Sequence, residues 1–129
     1  MDKNFVPYEE ALALRELGFD EICFNWYQSF NHYKKLEGGK SKNTEFWLKY
    51  PNCSAPLYQQ AFDWIRETYN LGHFIKLDNI EERIYFGWID KAIERDAFEH
   101  VGKGTYEEMR LACLKKLIEI VQYNESKKG

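Results

Sequence analysis

Long apolar runs are missing from this sequence. None approaches the roughly 18 residues that a membrane-spanning helix needs, so no such helix is expected. The first residues, Met1-Asp2-Lys3-Asn4-Phe5, lack an apolar stretch, and no signal peptide is expected either. Cysteine is scarce and odd in number: Cys23, Cys53 and Cys113, with no short spacing between them. That leaves no paired-cysteine zinc motif, and it fits reduced thiols in a cytoplasmic protein better than a disulfide framework. The three histidines, His32, His73 and His100, do not fall at helical spacing, so no metal site is expected. Glycine pairs occur, but not with the strand-to-helix spacing of a phosphate loop or dinucleotide fingerprint, and no cofactor is expected. Charge of one sign is also lacking. With 18 basic and 21 acidic residues the net charge is -3, which leaves no broad basic field for duplex DNA.

What is abundant is aromatic surface. Aromatics make up 17% of the chain and hydrophobic residues 44%, enough for a core in a chain of 129 residues. Pro7 and the run Tyr8–Leu17 read as a helix stopped by Gly18. Residues 21–34 alternate as a strand, Glu37 to Asn43 read as a turn, and Thr44 to Tyr50 as the returning strand of a hairpin. Ser54 and Pro56 suggest the start of a second helix, whose apolar arc runs from Leu57 to Tyr69. His73–Leu77 and Arg83–Ile89 read as a second hairpin. Residues 90–99 suit a short helix or a polar excursion. Thr105 with Glu108 forms a capping box for a last helix ending near Tyr123. The expected fold is α+β: a mostly antiparallel four-stranded sheet of two hairpins packed by three helices, in the order α-ββ-α-ββ-α. Residues 1–124 form the expected domain, and 125–129 a fraying tail. A short echo, Leu17-Gly18-Phe19 against Leu71-Gly72-His73-Phe74, hints at two related units.

Chemistry is thin. Cys53 precedes a predicted helix N-terminus, where the dipole favours a thiolate, and is the best candidate nucleophile. A structural thiol is the simpler reading. Asp90, Glu94, Asp96 and Lys91 have the residue types of a nuclease site but no strand to present them. The chain is therefore read as a binding protein and not an enzyme. Its most unusual feature is the expected free face of the sheet. If Phe24, Trp26, Phe46, Leu48, Ile84, Phe86 and Trp88 pack under the helices, Asn25, Tyr27, Trp47, Lys49, Arg83 and Tyr85 point away. Aromatics beside cations suit a protein contact or stacking on single-stranded RNA. Cover by the last helix or by residues 90–100 is the alternative. Lys34, Lys35, Lys40 and Lys42 add a basic hairpin tip; a mobile tip kept soluble by its lysines is the default reading, and contact with phosphate or an acidic protein surface the alternative.

Three stretches carry a resemblance: Phe5–Leu14 with Leu17–Glu21, Ser54–Trp64, and Thr105–Glu108 with Leu111–Val121. They resemble a family of short proteins carried by bacterial phages and integrated elements. The likeness covers about half the chain and implies a shared helical scaffold with a variable hairpin surface; that family offers no catalytic residues to carry over. Anti-CRISPR proteins are similar in general character, being small, of mixed charge and without a catalytic motif. By analogy, the resemblance implies an inhibitor of a host defence complex, with a CRISPR effector nuclease or its guide RNA as the partner.

Overall fold

A computed structural model describes residues 2–30, 33–46, 51–78, 83–90, 95–102 and 104–128. The described residues form α1 (Tyr8–Glu16), β1 (Cys23–Phe30), β2 (Tyr33–Ser41), β3 (Cys53–Ala55), α2 (Tyr58–Tyr69), β4 (Leu71–Asp78), β5 (Arg83–Asp90), β6 (Arg95–Gly102) and α3 (Tyr106–Lys128), with short 3-10 turns at Asp2–Asn4 and Asn43–Glu45. The class is α+β with antiparallel pairing throughout. The single four-stranded sheet is not formed. Two separate three-stranded sheets take its place, ordered β2-β1-β3 and β4-β5-β6. The chain divides into two compact units, Met1–Ala61 and Phe62–Gly129, with the boundary inside α2.

In the first unit, α1 ends as its sequence suggests. Gly18, at φ 102, takes the left-handed position that a Cβ would penalise. Phe19 N–H donates to Leu14 O at 2.9 Å and Gly18 N–H to Arg15 O at 3.0 Å, which closes the helix end. Leu14 and Phe19 are both buried, supplying the apolar contact that accompanies this cap. The chain then enters β1, the central strand.

The hairpin differs from expectation in register. The strand returning along β1 is Tyr33–Ser41, and Glu37 to Ser41 lie within a ladder and not in a turn; of the expected strand Thr44–Tyr50, Thr44 and Glu45 lie in a 3-10 turn and residues 47–50 lie outside the described residues. The reason is that β2 is an edge strand. Its backbone pairing with β1 holds it, so it needs no apolar alternation and reads as polar loop. The glycine pair serves a bulge: pairing slips between Cys23 and Asn25, opposite Gly39 at φ 131. Ser54 is not a helix cap. It lies in β3, fully buried, and α2 begins later, with Gln60 Oε1 accepting from Leu57 N–H at 2.9 Å.

A polar pin fastens the first sheet. Asn43 is buried; its Nδ2 donates to Phe19 O at 2.7 Å and its Oδ1 accepts from Ser54 N–H at 2.8 Å. The Ser41 and Ser54 hydroxyls share a hydrogen bond of 2.9 Å. Around them the core holds Val6, Ala11, Leu14, Phe19, Cys23, Tyr27, Cys53 and Ala55.

In the second unit the meander β4-β5-β6 packs against α3 through β4 and β5. Residues 95–102 form a strand where a helix or polar excursion was the expectation. The capping box is present: Glu108 N–H donates to Thr105 Oγ1 at 3.1 Å, and Thr105 N–H to Glu108 Oε1 at 3.3 Å. Met109, Cys113, Leu114, Leu117, Ile118 and Val121 are buried along one helix face. The helix runs on to Lys128, past the end expected near Tyr123. The Leu-Gly echo is no structural repeat. Gly18 caps a helix, whereas Leu71 and Gly72 open β4 behind Asn70, which holds the left-handed turn at φ 56. The two sheets also differ in strand order.

Candidate contact surfaces

The alternation along β1 runs in the opposite phase to the expected one. Cys23 and Tyr27 point into the core, and Phe24 is 60% exposed. Tyr27, expected on a free face, is buried: its hydroxyl donates to Val6 O at 2.7 Å and its ring meets Tyr8 edge-on at 5.7 Å. A period of two fixes which residues share a face, but not which face meets the helix. The small thiols and one satisfiable tyrosine hydroxyl fit the inner side, leaving Phe24 outside. Trp26 lies on the Phe24 side of the strand, half-buried, with the Phe46 ring 5.5 Å away. Ile22, just before the strand, is 53% exposed. This apolar group replaces Tyr27 as the surface feature of the first sheet. Sequence reading missed it because Phe24 looks like core.

The lysines sit at the rim of the same sheet. Lys34, Lys35 and Lys40 are exposed on β2, and Lys42 follows it half-buried. Lys34 Nζ contacts Glu9 at 2.9 Å and lies 4.9 Å from the Tyr8 ring centre. Lys35 Nζ is 3.4 Å from Glu37. Trp47 and Lys49 lie outside the described residues.

In the second sheet Ile84, Tyr85 and Trp88 are all half-buried, and Gly87, expected on the outer side, is buried. Phe86 is buried, and Tyr85 faces the opposite side, half-buried. Tyr85 pairs with Lys76 across the strands, and its ring meets Phe74 edge-on at 6.5 Å. Lys76 Nζ stands 5.0 Å from the Phe74 ring centre. Phe74 and Lys76 were not among the expected contact residues; the cross-strand pairing that brings them to Tyr85 becomes visible only with the register. Arg83 is the first residue of β5. Tyr85 and Arg83 belong to the second unit, whereas Tyr27 and the β2 lysines belong to the first. The residues expected on one sheet are thus divided between two sheets.

Reactive chemistry is damped where it was sought. Cys53 is fully buried in β3, not poised at a helix start, and burial pushes its thiol up to about 12. Burial does the same to Cys23 and Cys113, each to about 12. A thiol so raised is almost wholly protonated at neutral pH and a poor nucleophile. Asp90 ends β5, paired across the ladder with Arg95, and Asp96 lies in β6; Lys91 and Glu94 lie outside the described residues. Among the described residues no three His, Cys, Asp or Glu side chains gather as a metal site, and no helix is long and apolar enough to cross a membrane. In the second unit a pocket of about 240 Å³ opens between the ends of α2 and α3, lined in part by Tyr69, Asp90, Glu125 and Lys128. Lys128 Nζ lies 3.3 Å from Glu125 there.

Fold and surface together define an α+β protein with two antiparallel sheets and apolar and basic contact groups. Comparison with protein-family models, with curated proteins and with solved structures finds no match for the chain.

Proposed function

We propose that this chain is a non-enzymatic binding protein that acts in the cytoplasm by direct contact with a partner protein. The observation that carries this reading is Phe24, 60% exposed on the central strand of the first sheet beside Ile22 at 53%. Covering such a side chain stabilises a complex by about 1.5–3 kcal/mol. Aromatics such as Phe are enriched at protein interfaces. The resemblance to phage-borne proteins makes a host defence complex, of the kind anti-CRISPR proteins inhibit, the partner class to test first. The buried thiols argue against the cysteine-enzyme alternative.

The test is quantitative capture from a bacterial lysate containing an RNA-guided nuclease, using the wild-type chain and Phe24→Ser. We expect one specific partner to be retained by the wild type and lost with Phe24→Ser, while the melting temperature of the variant stays within a few degrees. Equal recovery by both proteins would overturn the role of this face. Recovery of no specific partner by the wild type would overturn the contact reading.

A further inference from the structure

We propose that β2 accepts an extended acidic peptide segment of the partner as an added strand. This rests on the contact reading above and specifies its chemistry. Among the described residues, β2 is bonded to β1 on one side and ends the first sheet on the other. From Tyr33 to Gly38 its register with β1 is unbroken, Phe30 opposite Tyr33 through Asn25 opposite Gly38. A regular edge of this kind carries outward N–H and C=O groups that suit main-chain pairing with an extended peptide. The bulge at Gly39 comes only after this stretch.

Charge selects the occupant. The regular stretch 33–38 holds Lys34, Lys35 and Glu37, a charge of 2 − 1 = +1, and Lys40 and Lys42 just beyond it bring residues 34–42 to 4 − 1 = +3 on a chain of net charge -3. The cations serve both faces of an added strand. Lys34 is paired with Ser29 and Lys35 with Gln28, adjacent β1 residues on opposite faces. Their present ion pairs, with Glu9 and Glu37, involve partly exposed side chains. Such pairs contribute little, so an incoming carboxylate displaces them at small cost.

A second copy of this chain is a poor occupant in the full-length registers; self-pairing confined to residues 33–38, which sets Lys34 opposite Glu37, would show as dimerisation of the free chain and would overturn the inference. Full-length antiparallel self-pairing, Tyr33 against Ser41, sets Lys34 opposite Lys40 and Glu37 opposite itself. In-register parallel pairing stacks every charge on its like, and like charges directly opposite are destabilising. Lysines on an edge deter neutral and basic strands alike. A strand alternating apolar and acidic residues turns that deterrent into attraction.

The experiment uses the full isotopically labelled chain and short capped probes: an alternating Val-Glu peptide, its Val-Lys counterpart, the Val-Glu peptide with alternate amides N-methylated, and oligouridylate. Amide shifts and hydrogen exchange are followed along the chain. We expect saturable binding of the Val-Glu peptide alone, with exchange slowed at residues 34–38. The combined variant Lys35→Glu, Lys40→Glu, altering only exposed side chains, is expected to bind about tenfold more weakly with its melting temperature nearly unchanged. Equal binding of the N-methylated peptide would mean charge attraction without strand pairing. Shifts centred on Phe24, tighter binding of oligouridylate at β2, or no saturation by any probe would each also overturn the inference. The Phe24→Ser capture measurement reads the contact reading separately, so failure of one is distinguishable from failure of the other.

Discussion

At Cys53 the sequence and the fold give opposite impressions of one atom. A thiol before a helix N-terminus invites a nucleophile, yet the residue pairs with Tyr27 in β3 and is fully buried. A disulfide reagent added at neutral pH is expected to leave all three thiols of the native protein unmodified and to titrate them in urea; fast labelling of Cys53 in the native state would contradict its burial. Tyr27 makes the complementary point. Its aromatic and polar character marks either an anchor for a partner or a core residue with one hydrogen bond, and the bond to Val6 O decides for the core. Tyr27→Phe leaves that carbonyl without its partner and is expected to cost about 1–3 kcal/mol in urea unfolding while leaving capture of a partner unchanged. Exposure is the property that composition conveys least: Phe24 and Tyr27 are alike in a residue count and opposite in the structure.

Elements differed in how far local residues specify them. Two helix ends were legible because their signals are local, whereas the start of α2 and the end of α3 were misplaced. Gly18 and the Thr105–Glu108 box act within one turn, and both form as read. Gly18→Ala and Thr105→Ala are each expected to destabilise by about 1 kcal/mol in thermal or urea unfolding. The strands were less legible. β2 resembles a loop because an edge needs little apolar patterning, and β6 resembles a polar segment for the same reason, each lying at the rim of its sheet. The connection after β2 depends on Asn43, whose two amide bonds span residues 19 and 54. Those bonds are invisible in sequence because their partners are distant main-chain groups. Asn43→Ala is expected to cost about 2–3 kcal/mol, more than either cap, since it leaves buried backbone groups unpaired.

Over the whole molecule, buried titratable groups set a pH window for stability. His73 stacks on Phe62 with ring centres 3.6 Å apart. Burial lowers its pKa below the ordinary 6.5, with Asp63 opposing and Arg66 reinforcing that shift. Above 6.5 folded and unfolded forms are both neutral and its contribution is fully present. As pH falls through 6.5 toward the folded value, the unfolded chain takes up a proton first, so stability declines. The cysteines act at the other end. Their folded pKa values near 12 exceed the ordinary 9.0, so above 9.0 the unfolded chain loses protons that the folded chain keeps, and stability declines again. Urea midpoints are expected to be highest between these limits; a midpoint unchanged from pH 8 to pH 10.5 would contradict thiol burial. By itself the sequence determined the α+β class, the caps at Gly18 and Thr105 and the apolar face of α3, because each depends on residues within a few positions of one another. Only the tertiary structure decided the division into two sheets, the phase of β1 and the edge position of β2, because pairing register and the choice of buried face follow from contacts between residues far apart in the chain.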